Sequence, residues 1–139
     1  MKVAIRYFTK SKKGNTEKIA KFVSEKTGVQ ALDVTNPLEE EVETLLLVNA
    51  MYAANIDKAI KEFLKQNAEK IKCLININSS ASGASTIKAV KKVADQYGIP
   101  VSEKEFHTQA SWIFINKGRP NADDFARLEA FLKEVVVNE

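Results

Sequence analysis

Chemistry-bearing residues are scarce in this chain. One cysteine, Cys73, and one histidine, His107, occur among 139 residues. A zinc or thiol-catalytic site needs several such groups converging. Cys73 falls inside the apolar run Ile71–Ile77, where a small, buried, inert thiol is expected. No apolar stretch approaches the ~20 residues of a membrane span, and Met1-Lys2 runs straight into a strand pattern rather than a signal peptide. A cytoplasmic location with no membrane partner is therefore expected. The five glycines form neither a G-x-G-x-x-G dinucleotide fingerprint nor a G-x-x-x-x-G-K-[ST] loop, since no glycine precedes Gly14. Ser82 lacks the first glycine of a G-x-S-x-G elbow, so a Ser82–His107 hydrolase is poorly matched. A formal charge of +3 and a pI near 8.9 fall well short of a nucleic-acid footprint, and no nucleic-acid partner is expected.

What the chain does have is a regular alternation. Short β-type apolar runs alternate with amphipathic helical ones, and 45% of residues are hydrophobic. That pattern predicts one α/β domain over residues 1–139, with helices on both faces of a parallel sheet. The expected strands are Lys2–Phe8, Val29–Val34, Thr44–Asn49, Ile71–Asn78 and Val101–Thr108. The expected helices are Asn15–Thr27, Ile56–Ala68, Ser85–Tyr97 and Asn121–Val137. Asn36-Pro37-Leu38-Glu39-Glu40 reads as an N-cap with proline at the first helical position, predicting one more short helix. Gly28 and Gly98 stand where helices stop.

The stretch Thr9-Lys10-Ser11-Lys12-Lys13-Gly14-Asn15-Thr16 joins the first strand to the first helix. Such a junction gathers backbone N–H groups and the positive end of a helix at one point, which suits a phosphate. Thr9, Ser11 and Thr16 offer hydroxyls, Gly14 permits close approach or positive φ, and Asn15 tolerates the left-handed region. The same residues also suit a plain strand–turn–helix with Asn15 or Thr16 as N-cap. The pattern T-x-S-x-x-G-N-T-x-x-x-A after an N-terminal strand resembles the phosphate-binding loop of the flavodoxin family. The resemblance implies a flavodoxin-like doubly wound three-layer sandwich, a five-stranded parallel sheet of order 2-1-3-4-5, and FMN as cofactor. In that order, ligands sit outside the carboxyl ends of the strands at the switch point between strands 1 and 3.

Two further loops then meet the first. Asn49-Ala50-Met51-Tyr52-Ala53-Ala54-Asn55 resembles the loop that covers one flavin face in short-chain flavodoxins, and Met51 and Tyr52 are the stacking candidates. The family usually has glycine after the Met-type residue. Tyr52 there would be strained at the third position of a type II turn, which favours φ > 0. Asn78-Ser79-Ser80-Ala81-Ser82-Gly83-Ala84-Ser85 departs from the family, whose loop carries an aromatic and acidic residues. Its backbone can still meet the flavin's pyrimidine edge, and it also reads as a solvated Ser/Gly turn with Ser85 as N-cap. The cofactor-binding set implied is Thr9, Lys10, Ser11, Gly14, Asn15, Thr16, Asn49, Ala50, Met51, Tyr52, Asn78, Ser79, Ser80, Ala81 and Gly83, with no catalytic or metal-ligating residue.

Phe106-His107-Thr108-Gln109-Ala110-Ser111 and Lys117-Gly118-Arg119-Pro120 resemble the family's tail, with Thr108 and Ala110 in place of its usual Cys and Gly. His107 near the end of the last strand reads as a loop histidine or one facing the flavin edge. The resemblance implies an electron carrier serving redox partner proteins, with no stable oligomer. Basic character is unusual for that family, and Lys10, Lys12 and Lys13 would make the mouth electropositive. Three alternatives stand beside it: an NAD(P)H-dependent flavin or quinone reductase, an activator of a ribonucleotide reductase, and an interaction module without flavin.

Overall fold

A computed structural model describes residues 2–10, 14–52, 55–111 and 118–136. Five strands, β1 (Val3–Tyr7), β2 (Ala31–Asp33), β3 (Thr44–Ala50), β4 (Leu74–Ser80) and β5 (Phe106–Gln109), form one parallel sheet in the order β2-β1-β3-β4-β5. Helices α1 (Asn15–Thr27), α2 (Lys58–Asn67), α3 (Ile87–Gln96) and α4 (Ala122–Val135) cover it. This is the flavodoxin-like order the sequence predicts.

Period-two alternation along the central strands splits the core into two layers. Leu45 and Leu47 of β3 and Leu74 of β4 pack with Ile60, Phe63 and Leu64 of α2 and Val90 and Ala94 of α3. Leu46, Val48, Ile75 and Ile77 pack on the other side with Ile19 and Val23 of α1 and Leu128 and Leu132 of α4. Every residue of β3 up to Asn49, and all of β4, is buried. A strand buried on both faces is why these segments read as continuous apolar runs.

The helix expected at residues 36–40 does not form. Instead, Arg6 of β1, itself only 6% exposed, donates from Nε to the Asn36 carbonyl (2.8 Å) and from Nη2 to the Pro37 carbonyl (3.0 Å). Asn67 Oδ1 accepts from the Leu38 N–H (2.9 Å), and Lys70 Nζ donates to the Leu38 carbonyl (2.7 Å). Remote side chains thus satisfy the backbone groups that a helix would have paired internally. Burial lowers the Arg6 pKa, with Glu39 opposing that shift. Asp33 builds the preceding turn, accepting from Thr35 N–H at Oδ1 (2.7 Å) and from Asn36 N–H at its carbonyl (3.0 Å).

Most other boundaries move by one or two residues, and the starts of β4 and β5 move further. β2 is cut to three residues. β4 begins at Leu74, with Ile71 making only an isolated bridge to Val42. β5 begins at Phe106, because Val101 bridges Leu74 alone. Cys73 sits half-buried before β4, and burial raises its thiol pKa. No helix is long and apolar enough to cross a membrane, and the described residues hold no His/Cys/Asp/Glu cluster that could bind a metal.

Candidate functional site

The carboxyl ends of β1, β3 and β4 open into a cleft of about 640 Å³, within the ~300–1,000 Å³ typical of small-molecule sites. It is lined by Thr9, Lys10, Gly14, Asn15, Thr16, Ala50, Met51, Tyr52, Ser79, Ser80, Ala81, Ala110 and Ser111. Of the fifteen residues expected from sequence, eleven stand on this wall. Ser11 lies outside the described residues, as do Lys12, Lys13, Ala53 and Ala54.

α1 starts at the floor of the cleft. Its N-cap is Gly14, with φ −83° and ψ −171° and no side-chain cap. Neither Asn15 nor Thr16 is the cap, and Gly14 is extended rather than left-handed. Its value here is therefore the absence of a Cβ, not access to positive φ. The first-turn N–H groups of a helix lack intrahelical acceptors, so a helix start at a glycine N-cap beside buried Thr16 (3% exposed) suits an anion. Asn15 instead reaches across the cleft: its Nδ2 donates to the carbonyl and the hydroxyl of Ser111, both at 3.1 Å.

Tyr52 ties the next loop to the first. Its hydroxyl accepts from the Lys10 N–H (3.3 Å), and Lys10 Nζ lies 4.6 Å from the Tyr52 ring centroid and 3.7 Å from Asp57 Oδ2. Tyr52 and Asn55 exchange backbone hydrogen bonds of 2.8 and 2.9 Å. Tyr52 thus forms an isolated antiparallel bridge with Asn55, while the turn in which Tyr52 was expected to be strained includes Ala53, which lies outside the described residues. Met51 continues the β3–β4 ladder, donating its N–H to the Ser79 carbonyl (3.1 Å).

Asn49 and Asn78 stand beneath the cleft instead of on its wall, both fully buried. The alternation that places Leu45 and Leu47 toward α2 and α3 carries Asn49 to the same side, as Leu74 does for Asn76 and Asn78. There Asn49 Nδ2 donates to Asn76 Oδ1 (2.8 Å), Asn76 Nδ2 to Thr86 Oγ1 (2.9 Å), and the Thr86 hydroxyl to Asn49 Oδ1 (2.7 Å). This ring of three side chains is closed. Asn78 joins it to the loop above, accepting from Thr86 N–H (3.1 Å) and donating to the Ala84 carbonyl (3.0 Å).

Gly83 also lies off the wall, at φ +83°. Its N–H donates to the Ser80 carbonyl (3.3 Å), and its own carbonyl accepts from His107 Nδ1 (2.7 Å). His107 thus staples the Ser/Gly loop to β5 and is absent from the cleft wall. Thr86 directly precedes α3 but makes no side-chain cap; Ser85, expected as the N-cap, makes the capping bond, its hydroxyl accepting from Ile87 N–H (2.9 Å) and donating to Glu105. The residues that sequence reasoning left out are Ala110 and Ser111 on the wall and Asn76 and Thr86 below it. For the first pair, the signal available was their position just past the end of β5.

The region following the cleft is anchored by Asp124, buried at 4% side-chain exposure. Its carboxylate accepts from Arg119 Nε (2.6 Å) and Nη2 (2.8 Å), from Arg127 Nη2 (2.6 Å) and from Asn121 N–H (2.8 Å). Burial alone would raise its pKa, but these donors hold it well below the usual carboxylate range.

Comparison with known proteins agrees with this geometry. A flavodoxin from Streptococcus pneumoniae superposes with a TM-score of 0.65 at 16% identity, covering 96% of this chain and 97% of that one. A flavodoxin from the domain Archaea gives 0.68 at 15%, covering 94% and 93%. An NADH:FMN oxidoreductase in its apo form gives 0.64 at 12%, covering 95% and 86%. Identities this low carry the fold alone. No curated protein gives a significant sequence match. The model of the flavodoxin domain matches residues 7–134, and the chain belongs to the flavodoxin family.

Proposed function

We propose that the chain binds FMN in this cleft and carries electrons between redox partner proteins. The observation that carries the reading is the start of α1 at Gly14, which lines the same cleft as Met51 and Tyr52. Thr9, Lys10, Gly14, Asn15 and Thr16 would hold the phosphate, with Ser11 assigned beside them by its place in the motif. Ala50, Met51 and Tyr52 would flank one side of the ring and Ser79, Ser80 and Ala81 the other. Asn49, Asn78 and Gly83 would support those loops from behind. Bound FMN supplies one- and two-electron redox chemistry, and the surrounding groups set its potential. No Cys, His, Asp or Glu lines the cleft among the described residues.

A second reading, an NAD(P)H-dependent flavin or quinone reductase, is favoured by the wall of small residues at Ser79–Ala81, Ala110 and Ser111. That wall leaves room beside the ring for a second planar ligand. The absorbance spectrum and extracted cofactor of the purified protein test the FMN reading. Steady-state NAD(P)H oxidation by the FMN-loaded protein then separates carrier from reductase, and a colourless protein that takes up no FMN defeats both.

A further inference from the structure

The two helical layers differ sharply in charge. On one face, α1 and α4 carry five basic residues against six acidic ones, a net −1. Those charges are laced together: Lys26 and Lys133 both approach Glu129, and Arg119 and Arg127 both hold Asp124. On the other face, α2 and α3 carry Lys58, Lys61, Lys65, Lys88, Lys91 and Lys92 against Glu62 and Asp95, a net +4. None of these six lysines makes an ion pair or side-chain hydrogen bond among the described residues. All but the half-exposed Lys61 are exposed.

Their placement also runs against helix energetics. α1 and α4 have acids in the first turn, as the helix dipole favours. α2 and α3 have none inside the first turn, and each puts a lysine, Lys58 or Lys88, there, although the Asp57 carboxylate caps α2 by accepting from Ala59 N–H (2.9 Å). In a parallel α/β sandwich those N-termini lie at the carboxyl edge of the sheet, beside the cleft. Meanwhile Lys10, at the cleft mouth, is drawn onto Tyr52 and Asp57. Among the described residues, the largest excess of positive charge on any helix pair is therefore that of α2 and α3.

We propose that the N-terminal halves of α2 and α3, with Lys58, Lys61, Lys88 and Lys91, form the docking surface for an acidic protein. That the partner is a redox protein rests on the electron-carrier reading; the docking surface itself does not. A strip of lysines that carries no exposed aromatic on α2 or α3 suits the carboxylates of a folded protein rim. It lacks the interleaved stacking residues of a nucleic-acid interface.

The test maps binding on the ¹⁵N-labelled chain by NMR, as purified and after FMN loading. A plant-type ferredoxin is the acidic probe and cytochrome c the basic one, with a short DNA duplex and phosphatidylglycerol vesicles as other polyanions. Ferredoxin is expected to perturb amides of residues 58–65 and 87–92, with affinity falling several-fold as salt rises from about 20 to 200 mM. The combined variant Lys58→Glu, Lys61→Gln, Lys88→Glu, Lys91→Glu should bind it at least about ten-fold more weakly while melting no lower than the parent, because acids now sit at the helix starts. The proposal is overturned if ferredoxin does not bind, binds elsewhere, or binds the folded variant unchanged. It is equally overturned if the duplex or the vesicles bind this face more tightly. The map is read whatever flavin the chain holds, so failure to take up FMN leaves it intact.

Discussion

The Tyr52 hydroxyl accepts the backbone N–H of Lys10 at 3.3 Å, joining the ring-side loop to the phosphate-type loop. An anion that drew on the Lys10 amide would have to displace that hydroxyl. Tyr52→Phe removes the competitor and keeps the ring, so binding of inorganic phosphate, followed by titration, should tighten by about two- to ten-fold, the worth of one ordinary hydrogen bond. Weaker phosphate binding in the variant would mean that the hydroxyl itself serves the anion.

At Thr16 the expectation has the opposite sign. Thr16→Ala should weaken FMN by about 1.5–3 kcal/mol, the worth of a hydrogen bond to a charged group, while leaving riboflavin almost unaffected. Gly14→Val should act the same way through its added bulk, without unfolding the chain, because φ −83° suits any residue. Equal losses for both ligands in parallel fluorescence titrations would remove the phosphate assignment.

The closed ring of Asn49, Asn76 and Thr86 predicts a stability effect at a residue that touches no ligand. Thr86→Val deprives Asn49 Oδ1 and Asn76 Nδ2 of their shortest partners in a fully buried setting, at about 1–3 kcal/mol for each group. Urea unfolding should show a loss of about 2–4 kcal/mol, largely recovered in Thr86→Ser. A neutral Thr86→Val would mean that water or a rotated amide replaces the hydroxyl.

Asp124 sets part of the acid limit. Its folded pKa is depressed, so its contribution is complete above the unfolded carboxylate value of about 3.9 and is lost as pH falls through the acid range toward the folded pKa. Asp124→Asn should therefore unfold at lower urea than the parent at pH 7, with the gap narrowing steadily below about pH 4. A gap that stays constant down to pH 2 or so would assign the acid sensitivity elsewhere.

How much of this was readable in the chain differs by residue. Leu45–Val48 and Leu74–Ile77 announce central parallel strands because a strand buried on both faces is mainly apolar, and the order of the sheet came from the family resemblance of the Thr9–Thr16 stretch. The cleft residues Thr9, Lys10, Gly14, Asn15 and Thr16 were readable because a strand-to-helix junction fixes where its N–H groups point. Asn49 and Asn78 were misdirected toward the cofactor, although the alternation from Leu45 and Leu47 already turned Asn49 away from it. What no local pattern contains is Thr86 waiting on α3 to complete the ring. Residues 36–40 failed for the same reason: an N-cap and a proline favour a helix, but Arg6, Asn67 and Lys70 arrive from three distant segments and take its carbonyls and N–H groups first.

Arg6 carries a consequence for motion. A helix in the β2–β3 connection would open by fraying, one residue at a time, whereas this connection is held by side chains from elsewhere, with Arg6 reaching two successive carbonyls and Asn67 and Lys70 holding Leu38. β2, which is three residues long and pairs only with β1, hangs from the same latch. Residues 31–43 should then exchange their amide hydrogens as a single cooperative unit, at a free energy below that of global unfolding. Release of the guanidinium would bare the outer edge of β1, the strand that delivers the chain to Thr9. The stiffness of the phosphate-type loop is thus set partly on the far side of its own strand.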